Sequence, residues 1–349
     1  MIKLSIIIPV YNTPEVLLEQ CISSVEQNLY NMNEETEVLF INDGSTEPHV
    51  EQILKHIENK NPRIKYIFKP NSGVANTRNM GINIAQGEYL TFVDADDYLE
   101  PDAFQYMLDT IETVKTDVVM FGFSDDNDNK SRVEVKRYYS GSDKDEIIWA
   151  LVSGKTWQYT LSGYLISTVW ANIYRREFLI KNKIFFVQDV APNEDILFMI
   201  YLLHKVDAFY VDNRLVYHYV YYADSAVRKF TNRHISVAIN MMPILDDFVF
   251  CNYPGNTRFM EAVVLRAYSY IRFNKGIYFT HPQNTKSFWK LKSEMDDFLS
   301  NPVISKWLKQ LKLFGTEDKI DFRNRLLLKL HLYWLFLLTE RRKRIARER

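Results

Sequence analysis

Leu4-Ser5-Ile6-Ile7-Ile8-Pro9-Val10 runs directly into Tyr11-Asn12-Thr13-Pro14. A short run of branched apolar residues closed by turn-forming residues predicts a buried strand. Pro14–Leu29 then places Val16, Leu17, Cys21, Ile22, Val25 and Leu29 on one helical face. The alternation repeats: a strand over Glu37–Asn42, a helix over Val50–Ile57, a strand over Arg63–Phe68, a helix over Gly73–Ala85 and a strand over Glu88–Val93. Pro101 opens a further helix to about Val114, in the first turn, where its missing N–H is no loss. Asp117–Phe123 closes the series as a strand. Strand and helix in alternation at this spacing predict an α/β fold, a parallel sheet with helices on both faces.

Further on, Arg132–Tyr139 reads as a strand, Asp143–Val152 and Asn193–His204 as helices, and Ala208–Asp212 and Leu215–Tyr222 as strands. From Ile235 the pattern is helical to the end, punctuated by Pro243, Pro254-Gly255, His281-Pro282 and Asn301-Pro302. The chain therefore divides near 230. Its 349 residues suffice for two domains of ordinary size. Two cysteines, Cys21 and Cys251, exclude a disulfide framework and a four-cysteine zinc site, and read as two buried free thiols in a reducing compartment.

The net charge of −1 hides an asymmetry. Residues 1–130 carry 9 basic and 22 acidic groups, and residues 131–349 carry 34 basic and 22 acidic. Two halves with different partners are implied. The acidic half disfavours nucleic acid. The first apolar run lacks a small-residue cleavage site, so it reads as a strand and not a signal peptide. No run of 18 apolar residues occurs, so no helix is predicted to span a bilayer. Leu326–Leu338, interrupted by Lys329 and His331, precedes six basic residues between Arg341 and Arg349. An apolar helix followed by a cationic cluster predicts a peripheral anchor on an anionic leaflet.

Ligands of an open parallel sheet bind beyond the carboxyl ends of its strands. Four polar clusters stand there: Pro9-Val10-Tyr11-Asn12, Asp43-Gly44-Ser45-Thr46, Asn71-Ser72-Gly73, and Asp94-Ala95-Asp96-Asp97. Neither Gly-x-Gly-x-x-Gly nor Gly-x-x-x-x-Gly-Lys-Ser/Thr occurs, so the two common backbone cradles for phosphate are missing. Only 11 glycines are present. A nucleotide diphosphate would need another counter-charge. Asp94 and Asp96 offer hard oxygen ligands for Mg²⁺ or Mn²⁺, which can bridge to diphosphate oxygens. Singly, each signal has a bland alternative. Asp96-Asp97 could complement a helix N-terminus, Asp43-Gly44 could be a turn, and Arg78 a solvated helix charge. Their joint order on successive strand ends is the specific part.

In that order the residues resemble the family 2 glycosyltransferases, inverting nucleotide-sugar-dependent enzymes of the GT-A fold. The resemblance is carried by Ser5–Asn12, Ile41–Thr46, Asn71-Ser72-Gly73-Val74-Ala75-Asn76-Thr77-Arg78-Asn79 and Gly87–Asp97. It continues in Val169–Phe178 and in Asn193-Glu194-Asp195-Ile196-Leu197-Phe198. It implies a Rossmann-like, mostly parallel sheet flanked by helices, with a C-terminal helical extension. Residues 1–230 would form the catalytic domain, with 1–125 the nucleotide-sugar half and 126–230 the acceptor half. Residues 231–349 would form a helical region with a basic amphipathic tail.

The resemblance also implies roles. Pro9, Tyr11 and Asp43 would hold the nucleobase, Asp43 accepting from a uracil imide, with Asn12 alongside. Asn71 and Arg78 would line the nucleotide and diphosphate. Asp94 and Ala95 would lie by the ribose or metal, and Asp96 would bind Mn²⁺ or Mg²⁺. Asp195 would be the base, with Trp170, Asn172 and Glu194 on the acceptor side. The donor would be a UDP-sugar and the acceptor a lipid-linked glycan of a bacterial surface polysaccharide, at the cytoplasmic face of the membrane. A homo-oligomer is compatible with this reading. A soluble protein O-glycan glycosyltransferase and a non-catalytic nucleotide-sugar-binding module are the alternatives. Tyr217-His218-Tyr219 through Ser225 occupies the place of a loop that closes over the donor, and His218 reads as a strand histidine before a metal ligand.

A single displacement at an anomeric carbon requires the acceptor hydroxyl to lose its proton as it attacks. Asn193 reads as an N-cap, which puts Asp195 in the first turn of a helix. The helix N-terminus would keep that carboxylate ionised. The metal and Arg78 would absorb charge on the departing diphosphate.

Overall fold

A computed structural model describes residues 1–30, 32, 35–125, 134–156, 166–221, 230–313 and 319–338. The chain forms two compact units, Met1–Leu151 with Lys155–Tyr222, and Val152–Gly154 with Ala223–Arg349.

The first unit follows the predicted alternation through β6, with the short β5 added to it. Its elements are β1 (Leu4–Val10), α1 (Glu15–Tyr30), β2 (Thr36–Asn42), α2 (Pro48–Lys60), β3 (Ile64–Phe68), α3 (Val74–Ile84), β4 (Tyr89–Phe92), β5 (Tyr98–Leu99), α4 (Ala103–Val114) and β6 (Val118–Asp125). Then come β7 (Lys136–Ser140), α5 (Gly141–Ser153), β8 (Asn172–Arg175), α6 (Arg176–Lys181), α7 (Glu194–Lys205) and β9 (Ala208–Tyr219). Strand order in the sheet is β3-β2-β1-β4-β8-β6-β9-β5, with β7 on β9. The first four strands are parallel, as is the long β6–β9 pair. The sheet is mostly parallel and flanked by helices, as the sequence predicts, but its second half is mixed. There β8 runs antiparallel to both β4 and β6. β8 is four residues long and lacks the apolar period that marks the other strands, so no strand is predicted from it.

Period-two alternation divides the central strands between two cores. Leu4, Ile6, Ile8 and Val10 of β1 and Val38 and Phe40 of β2 join α1, α2 and α4 in one apolar cluster. Ile7 faces the other side, where α3 approaches so closely that a Cβ on Gly81 would lie 2.4 Å from the Ile7 side chain. Phe92, Tyr174, Phe186 and Phe198 fill that second face, with Phe186 stacked on Phe198 at 4.3 Å. Each fully buried aliphatic or aromatic side chain contributes about 1.5–3 kcal/mol. Pro9 is tolerated in a central strand because the β4 pairing ends at Ile7.

The two strands predicted over Ala208–Asp212 and Leu215–Tyr222 form one, β9, which ends at Tyr219. Its register against β6 shifts at Gly122, where Asn213 bulges. A Cβ at Gly122 would lie 2.1 Å from the Asn213 carbonyl oxygen, so only glycine allows the approach.

The second unit is helical in its described part: α8 (Arg233–Asn252), α9 (Thr257–Asn274), a π-turn (Lys275–Phe279), α10 (Phe288–Ser300), α11 (Pro302–Gln310) and α12 (Lys319–Lys329). Asn256, Ser287 and Asn301 cap three of these helices through their side chains. By length and composition α8 could cross a membrane. It nonetheless carries Asp246 and Asp247 and buries Val237, Met241, Leu245 and Phe248. Its Cys251 is exposed, which corrects the reading of both thiols as buried; Cys21 on α1 is buried. The apolar stretch Leu326–Leu338 is not one amphipathic helix. His331 takes a left-handed φ of 56° and breaks it. Phe336 and Leu337 are buried, with the Lys275 ammonium 4.0 Å from the Phe336 ring centroid. The stretch is therefore divided: Leu328, Phe336 and Leu337 are buried, while Leu330 and Trp334 are exposed. The basic residues Arg341–Arg349 and the end of the predicted donor loop lie outside the described residues.

Candidate active site

The four polar clusters meet at the carboxyl ends of β1, β2 and β4, with the start of α7 beside them. In the first cluster Tyr11 is exposed, a ring free to stack on a planar ligand. Asn12 sits at φ 49°, a conformation asparagine tolerates. Its Oδ1 accepts from the N–H of Thr46 at 2.8 Å and of Glu47 at 3.2 Å. Asn12 therefore ties the end of β1 to the loop after β2. Asn42 is buried and accepts from the Ser45 N–H at 2.8 Å, closing that loop.

Asp43 is buried, and its carboxylate is well supported. Oδ1 accepts from the Ser72 N–H and Oδ2 from the Gly73 N–H, both at 2.9 Å. Lys69 pairs with the same carboxylate, and its ammonium also donates to Ser72 Oγ at 2.6 Å. Asn71 donates to the Asp43 carbonyl at 2.9 Å. A carboxylate has about four acceptor positions, so Oδ2 retains one for a ligand N–H. Lys69 was not singled out from sequence. Its only local signal is its place two residues before Asn71.

The acidic loop after β4 brings ligand oxygens of Asp94, Asp96 and Asp97 within 4.8 Å of one another. Asp97 is buried, accepting from Tyr217 Oη at 2.7 Å and the Val220 N–H at 2.8 Å. The Tyr217 hydroxyl in turn accepts from the Asp94 N–H at 3.1 Å. Burial, then the neighbouring Asp96 and Asp94, push the Asp97 carboxyl well above the usual carboxylate range. Three hard oxygen donors that repel one another fit a divalent cation of the Mg²⁺ or Mn²⁺ type. Ala95 is a correction. Its side chain points into the α1–α4 core while Asp94 and Asp96 face outward.

Asn193 occupies the N-cap position of α7 but makes no side-chain capping bond. Glu194 and Asp195 follow in the first turn. Arg78, buried on α3, donates to Asp195 at 2.6 Å, Glu194 at 3.3 Å and Asp94 at 2.8 Å. One arginine thus joins the acidic loop to α7. The Asp195 carboxyl is pushed up to about 8, because burial, helped by Glu194 and Asp94, outweighs the pull of Arg78. This corrects the expectation that the helix end keeps it ionised: a dipole at a helix end supplies at most about 2 kcal/mol, less than burial beside two like charges costs.

Trp170 and Asn172 are also corrected. Trp170 is 5% exposed and stacks on Tyr217 at 4.6 Å. Asn172 is 1% exposed and donates to the Thr168 carbonyl and to Tyr174 Oη. Both side chains are interior, held by protein partners. Glu194, the third acceptor-side residue, meets Arg78 through Oε1, while its buried Oε2 has no hydrogen-bond partner among the described residues. His218 pairs with Glu100 at 2.6 Å and stacks on Tyr98, as a structural strand histidine would.

Comparison with known proteins agrees with this architecture. Solved S. aureus TarS 1–349 in complex with UDP-GlcNAc superposes with a TM-score of 0.65 at 18% identity, covering 98% of this chain and 92% of that one. The fold is therefore the GT-A fold of the glycosyltransferases, with a helical C-terminal region. The chain belongs to glycosyl transferase family 2, whose family model matches residues 5–181, just over half of it. It is 29% identical over 196 residues to the uncharacterized glycosyltransferase EpsJ of Bacillus subtilis, which is 55% of this chain and 53% of that protein. It is 40% identical over 105 residues to the chondroitin synthase of Pasteurella multocida, 30% of this chain and 10% of that protein. The chain spans about half to three-fifths of the length of the first curated relatives it matches.

Proposed function

We propose that this protein is an inverting glycosyltransferase that moves a sugar from a UDP-sugar to a hydroxyl of a glycan acceptor. The observation that carries the reading is the meeting of the Asp94–Asp96 cluster and Asp195 around Arg78. A metal-binding group and a base carboxylate on one strand-end surface are the two parts a single displacement needs.

On this reading Tyr11 stacks on the nucleobase, Asp43 accepts its imide N–H, and Pro9, Asn12 and Asn71 shape the subsite around them. Asp94 and Asp96 would hold Mn²⁺ or Mg²⁺, which when bound would supply positive charge to a departing diphosphate. Asp195 takes the acceptor's proton. Its raised pKa leaves it poised near neutrality, where a general base gains most driving force. No second nucleophilic carboxylate is needed.

The acceptor we infer is a lipid-linked glycan of a bacterial surface polysaccharide, reached at the cytoplasmic membrane face through Arg341–Arg349. The names of EpsJ and chondroitin synthase and the nucleotide sugar in the TarS complex support the class. A soluble protein O-glycan transferase is the second reading, favoured by the burial of Phe336 and Leu337 within the helical unit. UDP release from a panel of UDP-sugars, with Mn²⁺ and a membrane extract as acceptor, tests the proposal. Release that requires both Mn²⁺ and the extract is the expected result. UDP binding without release from any donor would leave only a nucleotide-sugar-binding module.

A further inference from the structure

Arg78 is 4% exposed, and both of its Nη atoms are held by carboxylates, while its buried Nε has no hydrogen-bond partner among the described residues. Its Nη1 is shared by Asp195 and Glu194, and its Nη2 is held by Asp94. The Phe186 ring covers one face of the guanidinium, 5.3 Å from its carbon. Phe186 is itself fixed by Asn79, the next residue on α3. The Asn79 amide donates to the Phe186 carbonyl at 2.9 Å, and its oxygen accepts from the Phe186 N–H at 2.8 Å. The same helical turn therefore supplies the arginine and anchors the ring beneath it.

An arginine reaching for a diphosphate would have to release these carboxylates. Three acidic groups in a buried site would then lose their one shared cation, which is costly when partners are removed singly. The planar fork suits the opposite task, holding several carboxylates at once in a fixed geometry. We infer that Arg78 is a positioning residue, which orients the base carboxylate of Asp195 and ties it to Asp94 on the donor side, and is not a ligand of the diphosphate. Glu194 is the second hold on Nη1, so it fixes the direction from which Asp195 is gripped. The inference rests on the proposed role of Asp195 as base.

Arg78→Lys, Glu194→Gln and the wild type are compared by calorimetric UDP binding with Mn²⁺, by kcat and KM for UDP release, and by thermal melting. Arg78→Lys keeps UDP affinity within about threefold while kcat falls about a hundredfold, because geometry and not binding is lost. Glu194→Gln preserves shape and lowers kcat about tenfold with UDP affinity unchanged. A tenfold or greater loss of UDP affinity in Arg78→Lys, with kcat at saturation kept, overturns the inference and makes Arg78 a diphosphate ligand. Wild-type kcat in a folded Glu194→Gln overturns it as well, and this variant decides alone if Arg78→Lys does not fold. A wild type that binds UDP but releases none from any UDP-sugar overturns the transferase reading and the positioning role together. Wild-type release alongside either of the first two failures removes the positioning role alone.

Discussion

At the scale of single residues, Asp195 sets stability against activity. Its carboxyl is raised from an ordinary value near 3.8 to about 8 by burial, Glu194 and Asp94. The folded state therefore holds a proton that the unfolded chain has already lost across that interval. Stability from this group is full below about pH 3.8 and is lost as pH rises through about 8. Asp195→Asn removes the cost while leaving Arg78 its other two carboxylates. Without nucleotide or metal, the variant should melt above the wild type at pH 8.5, by on the order of 2 °C for each kcal/mol recovered. It should also retain UDP binding while losing transfer, and a lower melting point with transfer intact would contradict both roles. The same titration predicts that donor turnover rises with pH toward 8, as the base ionises. Asp96→Ala should abolish the Mn²⁺ dependence of UDP binding in calorimetry, because the 4.8 Å donor set loses a ligand. Asp43, Asp94, Asp96 and Asp195 were legible because each stands at a strand or helix end that the pattern of elements locates. Trp170 and Asn172 were misread, since the sequence near β8 does not reveal that this strand is covered on both faces.

Among elements, β9 does most to shape the acidic loop. Tyr217 reaches from it to accept from the Asp94 N–H and donate to Asp97. Tyr217→Phe keeps the stacking on Trp170 but strands a buried carboxylate oxygen, at about 1–3 kcal/mol. The expected result is a lower melting temperature together with weaker Mn²⁺ binding, the latter measured by calorimetry. Unchanged Mn²⁺ affinity would show that the loop keeps its shape without this hydroxyl. The contact joins residues 120 or more apart in sequence, and no periodicity reports such a pairing. Local patterns did place α1, α2, α3 and β1 to β4, because one apolar face or a buried run is enough to specify each. The bulge at Gly122 and the insertion of β8 between β4 and β6 depend on partners far along the chain.

For the molecule as a whole, the C-terminal segment carries buried apolar residues up to Leu337 and, in its sequence, a cationic cluster from Arg341. Ending the chain at Arg325 removes Leu328, Phe336 and Leu337 from the helical unit, a loss on the order of 5 kcal/mol or more. Ending it at Leu338 keeps Leu328, Phe336 and Leu337 and removes the segment that carries the cationic cluster, whose basic residues are worth about 1 kcal/mol each at an anionic surface. Co-sedimentation with phosphatidylglycerol vesicles should therefore fall sharply for the Leu338 end point while its melting temperature holds. Equal sedimentation of the full chain and the Leu338 end point would remove the tail from any membrane role. The sequence by itself determined the alternation of β1 to β4 with α1 to α4, the strand-end position of the acidic motifs and the split of charge between halves, since all three are local or additive properties. Tertiary structure alone decided that Arg78 grips three carboxylates, that Asp195 is raised and not lowered, and that Phe336 belongs to a core. Each of these depends on which distant groups share one small, poorly solvated volume, and there desolvation outweighs the local dipole and amphipathic pattern that a sequence can show.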